Sequence, residues 1–539
     1  MAKPRSQPQM RLTDAHVYDD APGIDKNHWS RKFHQHIYLA FDDAEFADMY
    51  QERGRYPISP RFLACITILQ YVFRVSDRTA VENTIMRRDW RVALGIDNTY
   101  DGFHPTVLTG FRKRLCDHDR ERAIFEAVLD RLREHGLLQD RRKVRVDSTH
   151  LLADVSRRSR VDAIREAMRL VVCELGDAYP QLFDNVAFRT LYDEYSEAPW
   201  LGTRRDDDDV LTELACDAKT LLKLCEGRNV KAKEVLAQII DENFTFDDNG
   251  EPDPNGSETP PKDRITTPHD PEARIGKKGD TVWLGNKLHI VETADANWPN
   301  FIVDLLVTDP SQGDSEATEQ IAQRTAFRLR DVEAIIADGG YYTARNSQCV
   351  RQLGMELISP PQSEKAHSPV PASEFELDYD NQVATCPKGC KSVSWQVYKK
   401  GSREHIRIQF SRTDCRNCQL WGQCVPKGKN GRRLDLSIHN ERLSEDRKNR
   451  HQPWFGQLYR CRPAIEATIS ELVRTCGARR SRYPGAQGRT LHAIFAATAL
   501  NVKRALAYLG EANATCGATP PPVAVAQSSL ASETEAIAA

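Results

Sequence analysis

The order of hydrophobic periods between residues 281 and 359 constrains this chain most. Strand patterns at Thr281 to Glu292 and Phe301 to Thr308 give way to an amphipathic helix from Ser315 to Arg330. A strand closing on Asp338 follows, then a short helix around Arg345 to Leu353 and a strand at Met355 to Ser359. Several strands followed by helix, strand, helix and strand predict an α/β sheet with helices packed on it. Far upstream, Lys143-Val144-Arg145-Val146-Asp147 alternates valine with charge, which also suits a sheet.

The remaining segments have other periods. From Pro60 to about Gly136 the pattern is helical: Leu63, Ile66, Leu69 and Phe73 share one face, and Val81, Ile85 and Leu94 continue in a second segment. A third helix is expected after His104-Pro105, with Val107, Leu108, Phe111 and Leu115 inward and Arg112, Lys113 and Arg114 outward. The Gly95 to Gly102 turn before this basic helix resembles a helix-turn-helix, and an ordinary helical bundle with a solvated basic face has the same signature. Residues 155–273 read as an insertion, mostly helical, then acidic and rich in Pro, Asp and Gly, ending in a mobile linker. Near the C-terminus, Gly477 should stop a helix spanning Pro463 to Cys476. A second helix, Thr490 to Leu509, carries a stripe of Leu491, Ile494, Phe495 and Val502 with the small Thr498 among them. The tail after Glu511 is expected to be disordered.

At 539 residues the chain exceeds one compact core and suggests two or three domains. Its 75 basic and 77 acidic residues nearly cancel, so local distribution decides what it attracts. Acid gathers at Asp206 to Asp209 and from Asp241 to Asp270, whereas Arg141 to Arg160 and Arg474 to Arg504 are basic. The N-terminus, with Lys3, Arg5 and Arg11 and no apolar core, does not read as a signal peptide. No stretch approaches the ~20 apolar residues of a membrane span. A soluble, cytoplasmic protein is expected, and in that compartment fourteen cysteines argue against a disulfide framework.

Three carboxylates stand out. Asp147 ends its valine run, Asp338 ends Ala334-Ile335-Ile336-Ala337 before Gly339-Gly340-Tyr341, and Glu466 opens the helix beginning Arg462-Pro463-Ala464-Ile465. Phosphodiester cleavage needs an activated water or hydroxyl, an in-line leaving group and charge neutralisation at phosphorus, which two magnesium ions about 4 Å apart supply. Magnesium takes hard oxygen ligands and keeps waters, so two or three carboxylates can hold the pair. The carboxyl ends of strands form the crevice where ligands bind in open α/β sheets. Each residue also has a plain reading: a turn former or helix cap for either aspartate, a partner of the helix dipole for Glu466. Asp314, before Ser315-Glu316-Ala317, is expected mainly as an N-cap.

With these landmarks in order, the chain resembles the DDE transposases of bacterial insertion sequences, particularly those with an all-helical N-terminal domain and a cysteine-bearing insertion before the last acidic residue. The likeness runs from about Ser59 to Leu509. Its most specific parts are Val146-Asp147-Ser148-Thr149-His150, Gly285-Asn286-Lys287-Leu288-His289, Ile336-Ala337-Asp338-Gly339-Gly340-Tyr341, and the run Arg462 to Tyr483. The resemblance implies an RNase H-like catalytic core, divalent magnesium or manganese as a pair of ions, and a homodimer on double-stranded DNA, cutting transposon ends and joining them to target. It implies that Asp147 bridges both ions, with Asp338 on one and Glu466 on the other. Tyr459 and Arg462 resemble the tyrosine and arginine that touch DNA phosphates in the related signature. That signature has a lysine seven residues after the glutamate, where this chain has Val473 followed by Arg474.

Other DNA-binding candidates are Arg474, Arg479, Arg480 and Arg482, a cluster suited to phosphate that could equally cap helix carbonyls. Lys287 and His289 could face a DNA end together or lie on an edge strand, and Arg112, Lys113 and Arg114 form the basic face of the third helix. The expected domains are an N-terminal extension 1–58, a helix-turn-helix-like DNA-binding domain 59–140, core segments 141–154, 274–362 and 451–510, a helical and acidic insertion 155–273, a cysteine-bearing insertion 363–450, and the tail 511–539. Within the latter insertion, Cys386 and Cys390 precede Cys415, Cys418 and Cys424. The spacing fits a structural zinc ribbon, reduced buried thiols or, third, an iron-sulfur site. Two other functions fit the same sequence: a transposase-derived DNA-binding or regulatory protein without catalysis, and a related RNase H-like nuclease. Nucleoid association in a bacterial cytoplasm follows from the resemblance.

Overall fold

The structure is a computed structural model that describes residues 23–51, 57–96, 100–138, 142–155, 158–197, 207–296, 298–329, 331–364, 369–401, 403–425 and 430–514. The chain divides into two compact units. One comprises residues up to 139 with 475–477 and 494 onward, and the other comprises 140–474 and 478–493. The tail assigned to disorder lies outside the described residues from 515 on.

The first unit is helical: α1 (Trp29–His36), α2 (Pro60–Phe73), α3 (Asp77–Met86), α4 (Arg88–Leu94), α5 (Thr106–Asp117) and α6 (Ala123–Glu134). Ser59 caps α2 by accepting from the Phe62 N–H, and Pro60 takes the first helical turn, where its missing donor costs nothing. Gly95 ends α4 at φ +62, and a Cβ there would come within 2.9 Å of the His34 ring. Trp90, Phe111 and Phe125 are wholly buried, and each such ring contributes roughly 3 kcal/mol or more of apolar burial. Part of the turn expected between Gly95 and Gly102, residues 97–99, lies outside the described residues.

The second unit is built on one mixed sheet. Strand β1 (Lys143–Leu152) leads into α7 (Arg160–Ala178), α8 (Val186–Tyr195), α9 (Asp208–Leu224) and α10 (Ala232–Asn243), which share an apolar core of their own. A small hairpin, β2 (Thr245–Phe246) and β3 (Pro252–Asp253), follows. The chain returns through β4 (Arg274–Lys278), β5 (Thr281–Thr293), β6 (Ile302–Thr308), α11 (Asp314–Arg328), β7 (Ala334–Ala337), α12 (Ala344–Gln352) and β8 (Glu356–Ile358). β1 pairs antiparallel with β5 on one side and parallel with β7 on the other, β6 pairs antiparallel with β5, and β8 lies parallel beyond β7. The first half of β5 forms a hairpin with β4. Gly285 allows β5 to lie against β1: its φ is +145 and a Cβ would sit 2.1 Å from the Leu151 carbonyl oxygen.

The stretch expected to be a mobile linker is tied down at its end. Asp270 is 1% exposed and ion-paired with the wholly buried Arg489, whose guanidinium also donates to Asn286. His269 bonds Glu166 on α7 at 2.8 Å. Burying an acid at the end of an acidic run requires a cation that sequence spacing does not reveal.

The cysteine-bearing insertion consists of β9 (Glu376–Asp378), β10 (Val383–Thr385), β11 (Ser392–Lys400), β12 (Arg403–Phe410), α13 (Arg412–Arg416), α14 (Trp421–Cys424) and β13 (Arg433–Ser437), with β11, β12 and β13 in one antiparallel sheet. α15 (Asn440–Asn449), α16 (Pro453–Tyr459), α17 (Ala464–Cys476) and α18 (Gly485–Ala514) complete the described chain. Gly477, at φ +75, ends α17 as its sequence predicts, and α18 starts earlier than expected, at Gly485. Among the described residues no helix is long and apolar enough to cross a membrane.

Candidate active site

Register sets the first two carboxylates side by side. β1 does not end at Asp147 as expected but runs on to Leu152, because its antiparallel ladder with β5 continues from Asp147↔Ile290 to Leu152↔Gly285. What ends near Asp147 is the parallel ladder with β7, whose last pair is Val146↔Ala337. Asp147 and Asp338 are therefore the next residues on adjacent parallel strands, where β7 turns away through Gly339 and Gly340. The Gly340 N–H donates to Asp338 Oδ1 at 2.9 Å, and the Ser359 hydroxyl donates to the Asp338 carbonyl oxygen at 2.6 Å. The Ser148 N–H donates to Asp147 Oδ1 at 2.8 Å.

The third carboxylate arrives from the C-terminal helices. A buried network fixes their approach: Arg145 Nε donates to Glu292 Oε2 at 2.7 Å, the Thr468 hydroxyl donates to Glu292 Oε1 at 2.6 Å, and Arg145 Nη1 donates to the Cys461 carbonyl oxygen at 3.2 Å. Glu292 is 0% exposed. Neither Arg145 nor Glu292 was singled out in the sequence. The available signal was a charge beside apolar neighbours, Arg145 between two valines on β1 and Glu292 after Ile290 and Val291 on β5. Pro463 interrupts the helical run between α16 and α17, as its restriction on the preceding residue predicts, so Tyr459 and Arg462 do not share a continuous helix with Glu466.

That interruption leaves Arg462 pointing into the acids. Its Nη2 lies 2.9 Å from Asp147 Oδ2 and 3.6 Å from Asp338 Oδ2, and its Nη1 lies 2.5 Å from Glu466 Oε1. Three carboxylates scattered over more than half the chain thus meet at one guanidinium. Burial pushes the Asp147 carboxyl above its usual range and Asp338 adds to that, while the Ser148 N–H and Arg462 pull the other way. Among the described residues no three His, Cys, Asp or Glu side chains are grouped so as to hold a metal ion.

The other candidates divide by placement. Arg112 does not face outward: it is 7% exposed and ion-paired with Asp77 of α3, Nη1 to Oδ1 at 3.0 Å. A helix turns its residues by 100° each, and Arg112 follows Phe111 onto the inner side. Lys113 is exposed and pairs with Asp117 at 3.4 Å, and Arg114 is half-buried with its guanidinium over the Tyr50 ring. β5 is a central strand, which corrects the edge-strand alternative for Lys287 and His289. His289 is 0% exposed, held between the Tyr341 hydroxyl at 2.8 Å and the Thr308 hydroxyl at 3.1 Å, so it is not placed to face DNA. Burial lowers its pKa to about 4. Lys287 bonds the Gln312 carbonyl oxygen at 2.5 Å and Asp314 at 3.3 Å. Asp314 is not the N-cap of α11, which is Gly313. It is the first helical residue, and it accepts from the Ser148 hydroxyl at 3.1 Å.

Arg479 is half-buried and donates to the Thr149 hydroxyl at 3.0 Å and the His150 carbonyl oxygen at 2.9 Å, so it pins the end of β1. Arg474 and Arg480 are exposed, Arg480 lying 3.7 Å from Asp154, and Arg482 is half-buried. Tyr459 is half-buried, its hydroxyl pushed up by burial. Cys386, Cys390, Cys415, Cys418 and Cys424 line a single cavity in the insertion.

Two family models match the chain. One described as Transposase DDE domain covers residues 385–506, and one described as Transposase domain (DUF772) covers residues 21–114. The first spans the five cysteines and Glu466. Asp147 and Asp338 lie outside both, so their assignment rests on the geometry above. No curated protein and no solved structure matched.

Proposed function

We propose that this chain, which a transposase DDE domain model and a transposase domain model match in part, is a DDE transposase of an insertion sequence that binds the terminal inverted repeats of its element, cleaves them by metal-dependent hydrolysis and joins the 3′-hydroxyl ends to target DNA. One observation carries the reading: Asp147, Asp338 and Glu466 converge within 4 Å of a shared cationic group. A site that gathers three carboxylates around a guanidinium has the hard-oxygen donor set and negative field that divalent magnesium or manganese takes. Asp147, Asp338 and Glu466 are the side chains that would hold such ions. Bound there, the ions would supply an activated water or 3′-hydroxyl and charge neutralisation at phosphorus.

The chain's own residues orient this site. The strand order β6-β5-β1-β7-β8, with β7 and β8 parallel to β1, supports an RNase H-like core that offers Asp147 and Asp338 at one sheet position. The Arg145, Glu292 and Thr468 network holds α17 so that Glu466 closes the third side. Arg462 and Tyr459, beside the acids, would take a DNA phosphate, and Arg474, Arg480 and Lys113, all exposed, would contact the DNA backbone. A homodimer on double-stranded DNA completes the reading, since each element has two ends.

The test is cleavage of DNA carrying the element's ends, with magnesium. Asp147→Asn, Asp338→Asn and Glu466→Gln should each remove cleavage by more than about 100-fold while leaving end-DNA binding in a gel-shift assay nearly unchanged. Activity surviving in one variant would remove that residue from the site. A wild-type protein that binds ends but never cuts them would favour the regulatory alternative.

A further inference from the structure

The five cysteines of the insertion come from three separate turns to the wall of one cavity of about 30 Å³. None of them is in a disulfide. Cys386 and Cys390 close a tight turn in which the Cys386 N–H donates to the Cys390 carbonyl oxygen at 2.9 Å, with Gly389 at φ +83 making the reversal. Cys415 and Cys418 bracket the end of α13, the Cys418 N–H donating to the Cys415 carbonyl oxygen at 3.2 Å. Two backbone amides aim at sulfur: Leu420 N–H donates to Cys418 Sγ at 3.5 Å, and Arg432 N–H donates to Cys415 Sγ at 3.4 Å. A sulfur that carries negative charge, as a metal-bound one does, is the better acceptor for such amides.

We propose that Cys386, Cys415, Cys418 and Cys424 bind one structural zinc ion. Three of them, Cys386, Cys415 and Cys424, pack against the core of the insertion, and Cys424 has Cys415, Cys418 and Cys386 as its sulfur neighbours. Cys390 has the Asp414 carboxylate among its neighbours beside Cys386 and Cys418, whereas Cys424 faces three sulfurs, so Cys390 is the thiol left over from a set of four. The surrounding sequence is basic. Between residues 385 and 437 there are twelve Lys and Arg against three Asp and Glu, in a chain whose formal net charge is −2.

The insertion also needs such a tie. Among the described residues its buried apolar core is eight side chains, from Val370 to Leu436, and modules this small usually need a metal or disulfide to hold. In the thiol form the sulfurs line the cavity without forming a ligating array among the described residues. Binding replaces four S–H bonds with four S–Zn bonds of about 2.3 Å and releases the protons to solvent.

This proposal does not rest on the reading of the active site, and its test reads metal, not cleavage. Full-length protein purified under reducing conditions should carry about one zinc per chain by elemental analysis. The cobalt-substituted protein should show tetrahedral d–d bands and sulfur-to-cobalt charge transfer. Cys415→Ser with Cys418→Ser should drop zinc below about one-fifth per chain, and Cys390→Ser should keep it. Should the double variant fold poorly, titrating the wild type with a mercurial must release zinc in step with loss of four thiols. Wild-type protein without zinc, iron with visible absorption in its place, or zinc lost equally in Cys390→Ser would overturn the assignment.

Discussion

Arg462 is the residue on which the acidic cluster now depends. Asp147 is nearly buried and lies beside Asp338 on the neighbouring strand, so their mutual repulsion is offset by a single guanidinium that also reaches Glu466. Arg462→Ala leaves that repulsion unscreened. The expected result is a loss of about 1–3 kcal/mol in urea unfolding with chelator present. Magnesium should recover a larger part of this loss in the variant than it adds to the wild type, since the ions and the guanidinium neutralise the same oxygens. Equal magnesium effects on both proteins would mean that the ion binds elsewhere.

At the scale of elements, the join between α17 and the sheet matters more than either alone. Glu292 on β5 accepts from Arg145 on β1 and from Thr468 on α17, all three buried. Removing one partner of a buried pair costs more than the pair contributes, because the remaining charge stays in a low-dielectric place. Glu292→Ala should therefore lower unfolding stability by about 3–5 kcal/mol. It should also reduce cleavage while Thr468→Val reduces it less. A Glu292→Ala protein as stable as wild type would show that water reaches Arg145. The helix and strand positions themselves were largely legible beforehand: α11, α12, β6 and β8 lie within a few residues of their expected bounds, because apolar period is a local signal. β1 was cut short at Asp147, because the polar residues Ser148, Thr149 and His150 hide a strand whose pairing comes from β5.

For the whole molecule, three histidines report on acid stability. His34 and His36 in the helical unit and His289 in the sheet unit are each lowered to about 4 from 6.5, first by burial. Between those values the unfolded chain binds more protons than the folded one. Stability is then fully present above about pH 6.5 and is lost as pH falls toward about 4. Urea midpoints should be lower at about pH 5 than at about pH 7, and His36→Gln should reduce that difference. A midpoint that does not move between the two would show that these rings protonate without cost.

The sequence by itself determined the order of strands and helices from 281 to 359, and singled out the three acids and the cysteine cluster as candidates, because period, turn residues and residue chemistry are properties of short windows. It misjudged Arg112 and His289, whose burial depends on Asp77, Tyr341 and Thr308 arriving from other segments. Only the tertiary structure decided that Asp147 and Asp338 stand on adjacent strands, that Glu466 joins them at Arg462, and that a buried Arg145 and Glu292 hold the third element in place. Those are consequences of strand register and of charge compensation across long separations, and neither is written in any window of the chain.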